Sequence, residues 1–389
     1  MIRSGAFCFS TDREMTEAAA KSARRMAVAG TKLRVLDVGP GGRGVLVSLD
    51  YGGDGLPIVH GWLGKGDDTG EYCALSETEE GFVAKRDYCG TRPLYLGSSG
   101  SWVASDHRFL PGEARELLPR GARLAISSGS LAVEDKGRGR YEGTFEDAAA
   151  KLASLIRESV EARVAGKRAV AVAFSGGLDS SLVAHCAAGH AKVIACSVSA
   201  EGSTDSKVAR DTASVMGVEF ASVRADKREV ASEMRGLDLP FEPSPMDKSL
   251  WCIYSMTARL ASKSGAEVVM LGQLADELFG GYAKYELALR RGGEAEAGRM
   301  MSDDVAECAT RGFLRDEAAC RRWCEPRFPL AERELAAFGQ ALPVSFKIRD
   351  GVRKAVLRQA ALLLGLPEEI AHRPKKAAQY SSGVMKLLV

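Results

Sequence analysis

The apolar residues of the chain follow two different spacings, and these divide it into two parts. From about residue 30 to residue 133, short alternating runs of apolar and polar residues are broken by glycine, as in 44–49 and 81–85. Such runs are typical of antiparallel strands. Beyond residue 144, apolar runs alternate with stretches of helical spacing, which predicts parallel strands joined by helices.

A polar, glycine-rich segment at 135–143 separates the two parts, and a capping-box-like helix start follows at Thr144. We therefore predict an antiparallel β-rich domain over residues 1–143 and a doubly wound parallel α/β domain with a helical C-terminal part over residues 144–389. From Lys284 onward the pattern is helical, and 347–364 is predicted to form one basic amphipathic helix. In the second part, strands are expected at 169–174, 192–198, 218–223 and 267–271, and helices at 180–189, 205–216 and 249–264.

Composition supports two domains and excludes several classes of partner. A chain of 389 residues with 46% hydrophobic residues exceeds one comfortable core and can fill two. Fifty-three basic and 51 acidic residues give a net charge of +2, which offers no general attraction to nucleic acid or to an acidic membrane. The nine cysteines form no paired framework, and no apolar run is long enough to span a bilayer. We expect a soluble cytoplasmic protein with reduced thiols.

The most informative segment follows the predicted strand 169–174 and reads Ser175-Gly176-Gly177-Leu178-Asp179-Ser180-Ser181. A buried strand that stops at glycines and continues into a helix presents free backbone N–H groups and hydroxyls, which bind anions. The glycines let the backbone approach a phosphate, and the Asp179 carboxylate is placed to hold a metal ion beside a polyphosphate. The segment resembles the pyrophosphate loop of ATP pyrophosphatases, which split ATP into AMP and pyrophosphate.

A second strand-to-turn segment, 268–282, contains Gly272, Gln273 and Asp276. Parallel strands place their carboxyl ends at one edge of the sheet, where ligands bind in open α/β folds. We therefore expect Asp276 to approach Asp179, so that the two carboxylates share magnesium on the departing pyrophosphate. The alternative is an acidic pair that only caps a helix.

Together these segments resemble the synthetase domain of asparagine synthetase. The resemblance extends to Ser203-Thr204-Asp205-Ser206, to Glu325-Pro-Arg327-Phe-Pro329-Leu, to Leu342-Pro343 with Lys347, and to Arg373-Pro-Lys375-Lys376. It implies that ATP and Mg²⁺ are cofactors and that Lys375 neutralises pyrophosphate and the adenylating transition state. It also implies a nucleotide site made by Ser175, Gly176, Gly177, Leu178, Asp179, Ser180, Ser197, Val198, Asp205 and Gly272, and a metal site made by Asp179 and Asp276.

The first part resembles a class II glutamine amidotransferase domain through the segment 84–95, which contains Arg86-Asp87 and Arg92-Pro93-Leu94-Tyr95. Such domains use an N-terminal cysteine as both nucleophile and base, whereas this chain begins Met1-Ile2-Arg3-Ser4-Gly5. Ser4 is internal and a far poorer nucleophile, and Cys8 is a poor substitute. We therefore predict a degenerate glutaminase-like domain without glutaminase activity, and ammonia as the nitrogen donor.

Gln273 departs from the family pattern, because asparagine synthetases usually carry a glutamate there. A carboxamide hydrogen-bonds but takes no proton at neutral pH, so any base role passes to Glu325, to water, or is unnecessary. Gln273, Glu325 and Lys375 are thus the candidate catalytic residues.

The predicted function is ATP-dependent formation of an amide from a small carboxylate and an amine or ammonia, through an acyl-adenylate. One alternative is the use of another amine, as in β-lactam synthetases and peptide cyclases. Another is a non-catalytic ATP-binding regulator or scaffold. Transfer chemistry on tRNA is less favoured, because the chain lacks a catalytic Cys-x-x-Cys and a strongly basic surface. The oligomeric state stays open, a homodimer included.

Overall fold

The structure is a computed structural model that divides into two compact units, Met1–Lys136 and Gly137–Val389. It describes residues 6–26, 32–38, 44–49, 56–64, 69–79, 81–97, 100, 102–109, 115–126, 128–134, 139–201, 203, 205–374 and 382–388. None of the helices within these ranges is long and apolar enough to cross a lipid bilayer.

The described residues of the first unit form two antiparallel sheets and one helix. Its helix is α1, Arg13–Met26. Its strands are β1 Ala6–Ser10, β2 Leu33–Val38, β3 Gly44–Leu49, β4 Ile58–Leu63, β5 Gly70–Thr78, β6 Gly81–Arg86, β7 Tyr95–Gly97, β8 Trp102–Ala104, β9 Arg115–Leu117, β10 Ala122–Ala125 and β11 Ser130–Val133. The strand orders are β2-β3-β1-β8-β7-β9 and β11-β10-β6-β5-β4.

Alternating side chains place one apolar face of each sheet against the other. Phe9 of β1 and Phe82 of β6 meet with their ring centroids 4.6 Å apart inside this shared core. The opposite side of β1 contributes Cys8 to a second cluster, in which Ala19 and Ala23 of α1 cover the sheet. The predicted antiparallel β-rich first part is therefore confirmed, while its glutaminase-like identity stays a prediction.

The segment that carries the amidotransferase resemblance is a buried turn. The Arg86 guanidinium donates to three backbone carbonyls, those of Gly90, Arg92 and Leu118, at 2.6–2.8 Å. The Asp87 carboxylate accepts from the backbone N–H groups of Cys89, Thr91 and Arg92. Because both charged groups are almost fully buried and satisfy backbone groups, this Arg-Asp pair fixes the loop conformation in the first unit.

The second unit is a parallel α/β structure. Its strands are β12 Ala169–Ala173, β13 Lys192–Ala200, β14 Glu219–Ala225, β15 Val268–Met270, β16 Glu325–Arg327, β17 Ile348–Arg349 and β18 Val352–Arg353. Its α-helices are α2 Phe145–Val164, α3 Leu178–Ala188, α4 Asp205–Val215, α5 Lys227–Met234, α6 Pro245–Lys263, α7 Ala275–Phe279, α8 Ala283–Glu307, α9 Phe313–Arg321, α10 Arg333–Ala341, α11 Val344–Lys347, α12 Ala355–Leu363 and α13 Glu368–Ala371. A π-helix spans Cys308–Gly312, and short 3₁₀ helices span Pro329–Ala331 and Val384–Leu387.

Five of these strands form a parallel sheet in the order β14-β13-β12-β15-β16. The chain moves outward in one direction from β12 to β14 and then crosses back to place β15 on the other side of β12. Loops that leave adjacent strands in opposite directions open a crevice, so ligands bind at this reversal in open α/β sheets. The predicted parallel α/β second part is confirmed, and the reversal lies between the strands that precede the two predicted motifs.

The prediction of one helix over 347–364 is wrong. Residues 348–353 form a two-stranded hairpin, β17 with β18, and only Ala355–Leu363 is helical. Asp350 and Gly351 adopt φ values of 51° and 75° at the hairpin turn, and Lys354 adopts 59°. Helical φ/ψ cannot continue through residues in the left-handed region, so the helix starts after Lys354.

Candidate active site

A cavity of about 920 Å³ lies at the carboxyl ends of the three central strands. The ends of β12, β13 and β15 contribute 173–175, 196–198 and 271–273 to its lining. Helices α6 and α8 and the π-helix form the remaining walls. The volume is at the upper end of the range for small-molecule sites, which is large enough for a nucleotide and a second ligand.

The loop between β12 and α3 forms one wall and is held open by hydroxyl groups. Ser175 Oγ accepts from the Gly177 N–H at 3.3 Å, and Ser180 Oγ accepts from the Ser175 N–H at 3.3 Å. Bonds of this length are weaker than typical N–H···O bonds near 2.9 Å, so a stronger acceptor such as a phosphate oxygen can replace them. Of the predicted phosphate contacts, Ser175 and Ser180 line the cavity.

Gly176 fixes the path of this loop. Its φ of 70° is unfavourable for residues with a side chain, and an added Cβ would lie 3.1 Å from backbone atoms of α4. Arg373 donates to both the Gly176 carbonyl and the Thr212 hydroxyl, which ties the loop to α4 and to the C-terminal segment. Leu178 is the first residue of α3, and its buried side chain anchors the end of the loop.

The loops after β12 and β15 approach one another at Gly272. An added Cβ at this residue would lie 3.0 Å from the Asp179 Cβ, which is closer than ordinary van der Waals contact. Glycine at this position therefore allows the segment that carries Asp276 to approach the segment that carries Asp179.

Asp179 and Asp276 converge on one cation, the ammonium group of Lys354. Lys354 Nζ lies 2.7 Å and 2.6 Å from the two carboxylate oxygens of Asp179 and 2.7 Å from Oδ1 of Asp276. The Lys354 side chain is only 2% exposed, and the carboxylates are 16% and 13% exposed. An ammonium this deeply buried is stable only because two carboxylates neutralise it.

Lys354 was not predicted as a site residue, because it fell within the single basic amphipathic helix expected over 347–364. The Asp350-Gly351 dipeptide was the missed signal, since Asp-Gly is typical of hairpin turns. The hairpin that follows turns the chain so that Lys354 ends against Asp179, which is 175 residues earlier.

The two carboxylates have the chemistry and placement to hold a divalent cation such as Mg²⁺. Their convergence on Lys354 Nζ at 2.6–2.7 Å shows that both can direct oxygens at the same cation. Within the described ranges, no group of three or more His, Cys, Asp and Glu residues forms a complete metal site. Mg²⁺ is usually held by one or two carboxylates together with phosphate oxygens and water, so two protein ligands are sufficient.

Gln273 and Glu277 lie on the side of the cavity next to the π-helix. Gln273 lines the cavity, and its Nε2 lies 3.3 Å from where a Cβ on Gly312 would be, so this glycine leaves room for the amide. Among the described residues, the Gln273 amide has no hydrogen-bond partner. Burial raises the pKa of the Glu277 carboxyl, the adjacent Asp276 adds to the rise, and a 2.7 Å hydrogen bond from Tyr282 opposes it.

Asp247 organises the wall opposite the phosphate loop. It completes a capping box with Ser244 at the start of α6 and accepts from Arg311 and Arg315 at 2.6 Å and 3.0 Å. Burial alone would raise the pKa of Asp247, but the hydrogen bonds from Ser244, Arg311 and Arg315 outweigh it and lower the pKa to about 2. Asp247 is therefore ionised at neutral pH and holds both guanidinium groups at the cavity wall.

The other predicted site residues have different outcomes. Ser197 and Val198, in the C-terminal half of β13, line the cavity, and their predicted contact with adenine stays a prediction. Asp205 is the first residue of α4, and its side chain lies outside the described part of the structure. Glu325 starts β16 beside Val268, forms an ion pair with Arg327 at 3.2 Å, and is also absent from the lining. Lys375 lies outside the described residues.

Residues 151–307 and 291–387 match the family model described as asparagine synthase, and together they cover more than half of the chain. The chain belongs to the asparagine synthase family. The predicted family is thereby confirmed, and its match begins in α2 and extends past Lys354 to the C-terminal 3₁₀ helix.

Two curated relatives show the extent of the family likeness. A protein of Methanocaldococcus jannaschii, named as a putative glutamine-hydrolyzing asparagine synthetase, is 29% identical over 284 residues, which are 64% of this chain and 52% of that protein. The asparagine synthetase domain-containing protein 1 of Gallus gallus is 32% identical over 131 residues, 32% of this chain and 20% of that protein. This chain spans about half the length of the first of these relatives.

Among solved structures, an NMN synthetase from Francisella tularensis matches with a TM-score of 0.33 and 10% identity, over 61% of this chain and 77% of that one. A similarity this weak does not bear on function.

Proposed function

We propose that the chain is an ATP-dependent amide-forming ligase that activates a carboxylate as an acyl-adenylate and releases pyrophosphate. The observation that carries this proposal is the convergence of Asp179 and Asp276 on one cation beside the Ser175–Ser180 loop, at the reversal point of the sheet. A protein that kept this fold only for packing has no need of a buried three-charge cluster facing a cavity, because such clusters cost desolvation energy.

The residues of the cavity divide into three roles in this proposal. The loop N–H groups and the hydroxyls of Ser175 and Ser180 bind phosphate oxygens, and Asp179 and Asp276 hold magnesium with the nucleotide. Magnesium, when bound, neutralises the polyphosphate charge and favours departure of pyrophosphate. Ser197 and Val198 contact the adenine end. Arg311, fixed by Asp247 at the opposite wall, orients the carboxylate that attacks the α-phosphate, so rate comes mainly from positioning and charge neutralisation.

We propose ammonia as the nitrogen donor, with no glutamine hydrolysis. In the first unit, Cys8 is 1% exposed within β1, and burial raises the pKa of its thiol far above the usual range. A thiol that stays protonated is a poor nucleophile, so Cys8 is a poor candidate for the nucleophile of a glutaminase. The residues before Ala6, including Ser4, lie outside the described part of the chain.

The test is pyrophosphate release from ATP and Mg²⁺ over a panel of small carboxylates, aspartate included, with ammonium or glutamine as donor. We expect carboxylate-dependent release, with ammonium and not glutamine supporting product formation. Asp179→Asn should abolish release, while Asp303→Asn, a matched change at an exposed position of α8 outside the cavity, should leave it unchanged. If no substrate supports release and Asp179→Asn binds ATP as wild type does, the adenylation proposal is refuted and a non-catalytic role is favoured.

A second candidate donor is an organic amine. Glu307 lines the cavity beside the π-helix, and its carboxylate has no ion-pair partner among the described residues, so it is available to a cationic amine. In addition, position 273 carries an uncharged carboxamide where the family usually has a glutamate. Competition between ammonium and a panel of diamines and amino acids, with the amide products weighed by mass spectrometry, separates the two donors. A Glu307→Gln variant should lose the organic amines selectively.

A further inference from the structure

Lys354 occupies the position between the two carboxylates that the proposed function gives to a divalent cation. Three short contacts, to both oxygens of Asp179 and to one of Asp276, place its ammonium where a metal bridging the two residues would lie. Two cations cannot share that position, because the buried ammonium would repel the incoming metal at a separation of a few ångströms.

The surroundings hold Lys354 in this position. Its backbone adopts φ of 59° and ψ of 32° immediately before α12, a conformation that residues with long side chains rarely take. Gly281 packs against its side chain, since a Cβ there would lie 2.3 Å from Lys354 Cε and 1.8 Å from Asp276 Oδ1. Arg353 donates to the Gly281 carbonyl at 2.8 Å, which fixes the neighbouring backbone. The strained backbone and the close packing both indicate a position selected for the ammonium rather than for the fold.

We propose that Lys354 is an internal cation that keeps the Asp179–Asp276 site closed to divalent metal until a nucleotide enters. The polyphosphate brings its own negative charge, which draws the ammonium away from the carboxylates and frees their oxygens for the metal that accompanies it. Since the Lys354 side chain is buried, its charge stays beside the nucleotide after this exchange. Without nucleotide, the ammonium already occupies the position between the two carboxylates, so a metal gains little by binding there.

This inference rests on the proposed function only in assuming that a metal–nucleotide complex uses the two carboxylates. Its test therefore omits ATP. Mn²⁺ is titrated into the full nucleotide-free chain, and free Mn²⁺ is measured by electron paramagnetic resonance. The variants are Lys354→Met, which keeps the length of the side chain without its charge, and Lys354→Asn, which suits the positive φ. The double variant Asp179→Asn with Lys354→Met is the control.

We expect wild type to bind Mn²⁺ weakly and Lys354→Met to bind one Mn²⁺ at least about ten-fold more tightly, with Lys354→Asn behaving similarly. The double variant should lose this gain. Mn²⁺ should also raise the thermal unfolding midpoint of Lys354→Met, because the metal takes over the charge of the ammonium that the variant lacks, and should leave that of wild type unchanged.

Equal Mn²⁺ affinity in wild type and Lys354→Met would overturn the inference. It would also be overturned if both single variants stay unfolded with and without Mn²⁺, since the metal then cannot replace the ammonium. Pyrophosphate release by wild type is measured separately. If wild type releases pyrophosphate but Lys354→Met binds Mn²⁺ no more tightly than wild type, only the proposed role of Lys354 is refuted. If Lys354→Met binds Mn²⁺ more tightly but wild type releases no pyrophosphate, only the ligase proposal is refuted.

Discussion

Gly281→Ala tests whether the positions of the Asp276 carboxylate and the Lys354 ammonium in the site affect the rate. Gly281 does not lie in the left-handed region, so alanine is compatible with its backbone. The new Cβ, however, would lie 1.8 Å from Asp276 Oδ1 and 2.3 Å from Lys354 Cε. Nonbonded carbon atoms are most stable about 3.5 Å apart, so the two side chains must move apart by about 1 Å or more.

The expected magnitude follows from this displacement. A misplacement of about 1 Å in a catalytic site can reduce the rate about 100-fold, which corresponds to about 2.7 kcal/mol of transition-state stabilisation. The inserted methyl group should also lower the free energy of unfolding by about 1–3 kcal/mol, as overpacking does. The protein should therefore remain folded while kcat/KM for pyrophosphate release falls about 100-fold.

The assay combines steady-state pyrophosphate release with urea unfolding of the same preparation. Gly298→Ala is the matched control, because its Cβ would lie 3.7 Å from the nearest atom, in ordinary contact on α8. Alanine there should raise stability by up to about 1 kcal/mol and leave the rate unchanged. A folded Gly281→Ala protein with kcat/KM within about three-fold of wild type would refute the reasoning, because the positions of the Asp276 carboxylate and the Lys354 ammonium would then be irrelevant to catalysis.

Three further predictions concern the loops and the buried charges. Gly272→Val should weaken ATP binding at least about ten-fold in a calorimetric titration. Even a Cβ at this position would lie 3.0 Å from the Asp179 Cβ, so the larger valine side chain must displace Asp179. Asp247→Asn should lower the free energy of unfolding by about 2 kcal/mol at pH 7. Since the Asp247 pKa is lowered from 3.8 to about 2, the stability that its carboxylate contributes is complete above pH 4 and is lost as the pH falls through 2. Urea unfolding of wild type and variant across that pH range would show or contradict this loss. Burial lowers the pKa of Lys347 from 10.5 to about 8, so charging it opposes folding; Lys347→Met should raise stability at pH 7 by up to roughly 3 kcal/mol, and the gain should shrink between pH 8 and 10.5. A gain independent of pH would contradict that reason.

Much of the second unit could be predicted because its signals are local. The apolar run 169–174 followed by glycines predicts a buried strand that ends in a turn, and the observed β12 is Ala169–Ala173. The alternation of strands and helices requires crossover connections, which give a parallel sheet. Once the sheet is parallel, the loops after β12 and β15 must share an edge, which is why Asp179 and Asp276 could be expected near each other.

Only the tertiary structure shows that the Lys354 ammonium lies between these two carboxylates. The helical spacing of apolar residues over 347–364 agrees with helix, but the left-handed residues at the hairpin interrupt it, and spacing carries no information on such backbone conformations. Tertiary structure also decided the position of Glu325. This residue starts the short parallel strand β16 and is not among the residues that line the cavity, although its motif suggested a catalytic role. Sequence thus determined which residue types meet at the sheet edge, since the alternation of strands and helices gives a parallel sheet whose following loops share one edge. Lys354 pairs with Asp179, which lies 175 positions earlier in the chain, and with Asp276. Only the folded structure shows these pairs, because the Coulomb interaction depends on distance in space and not on separation along the sequence.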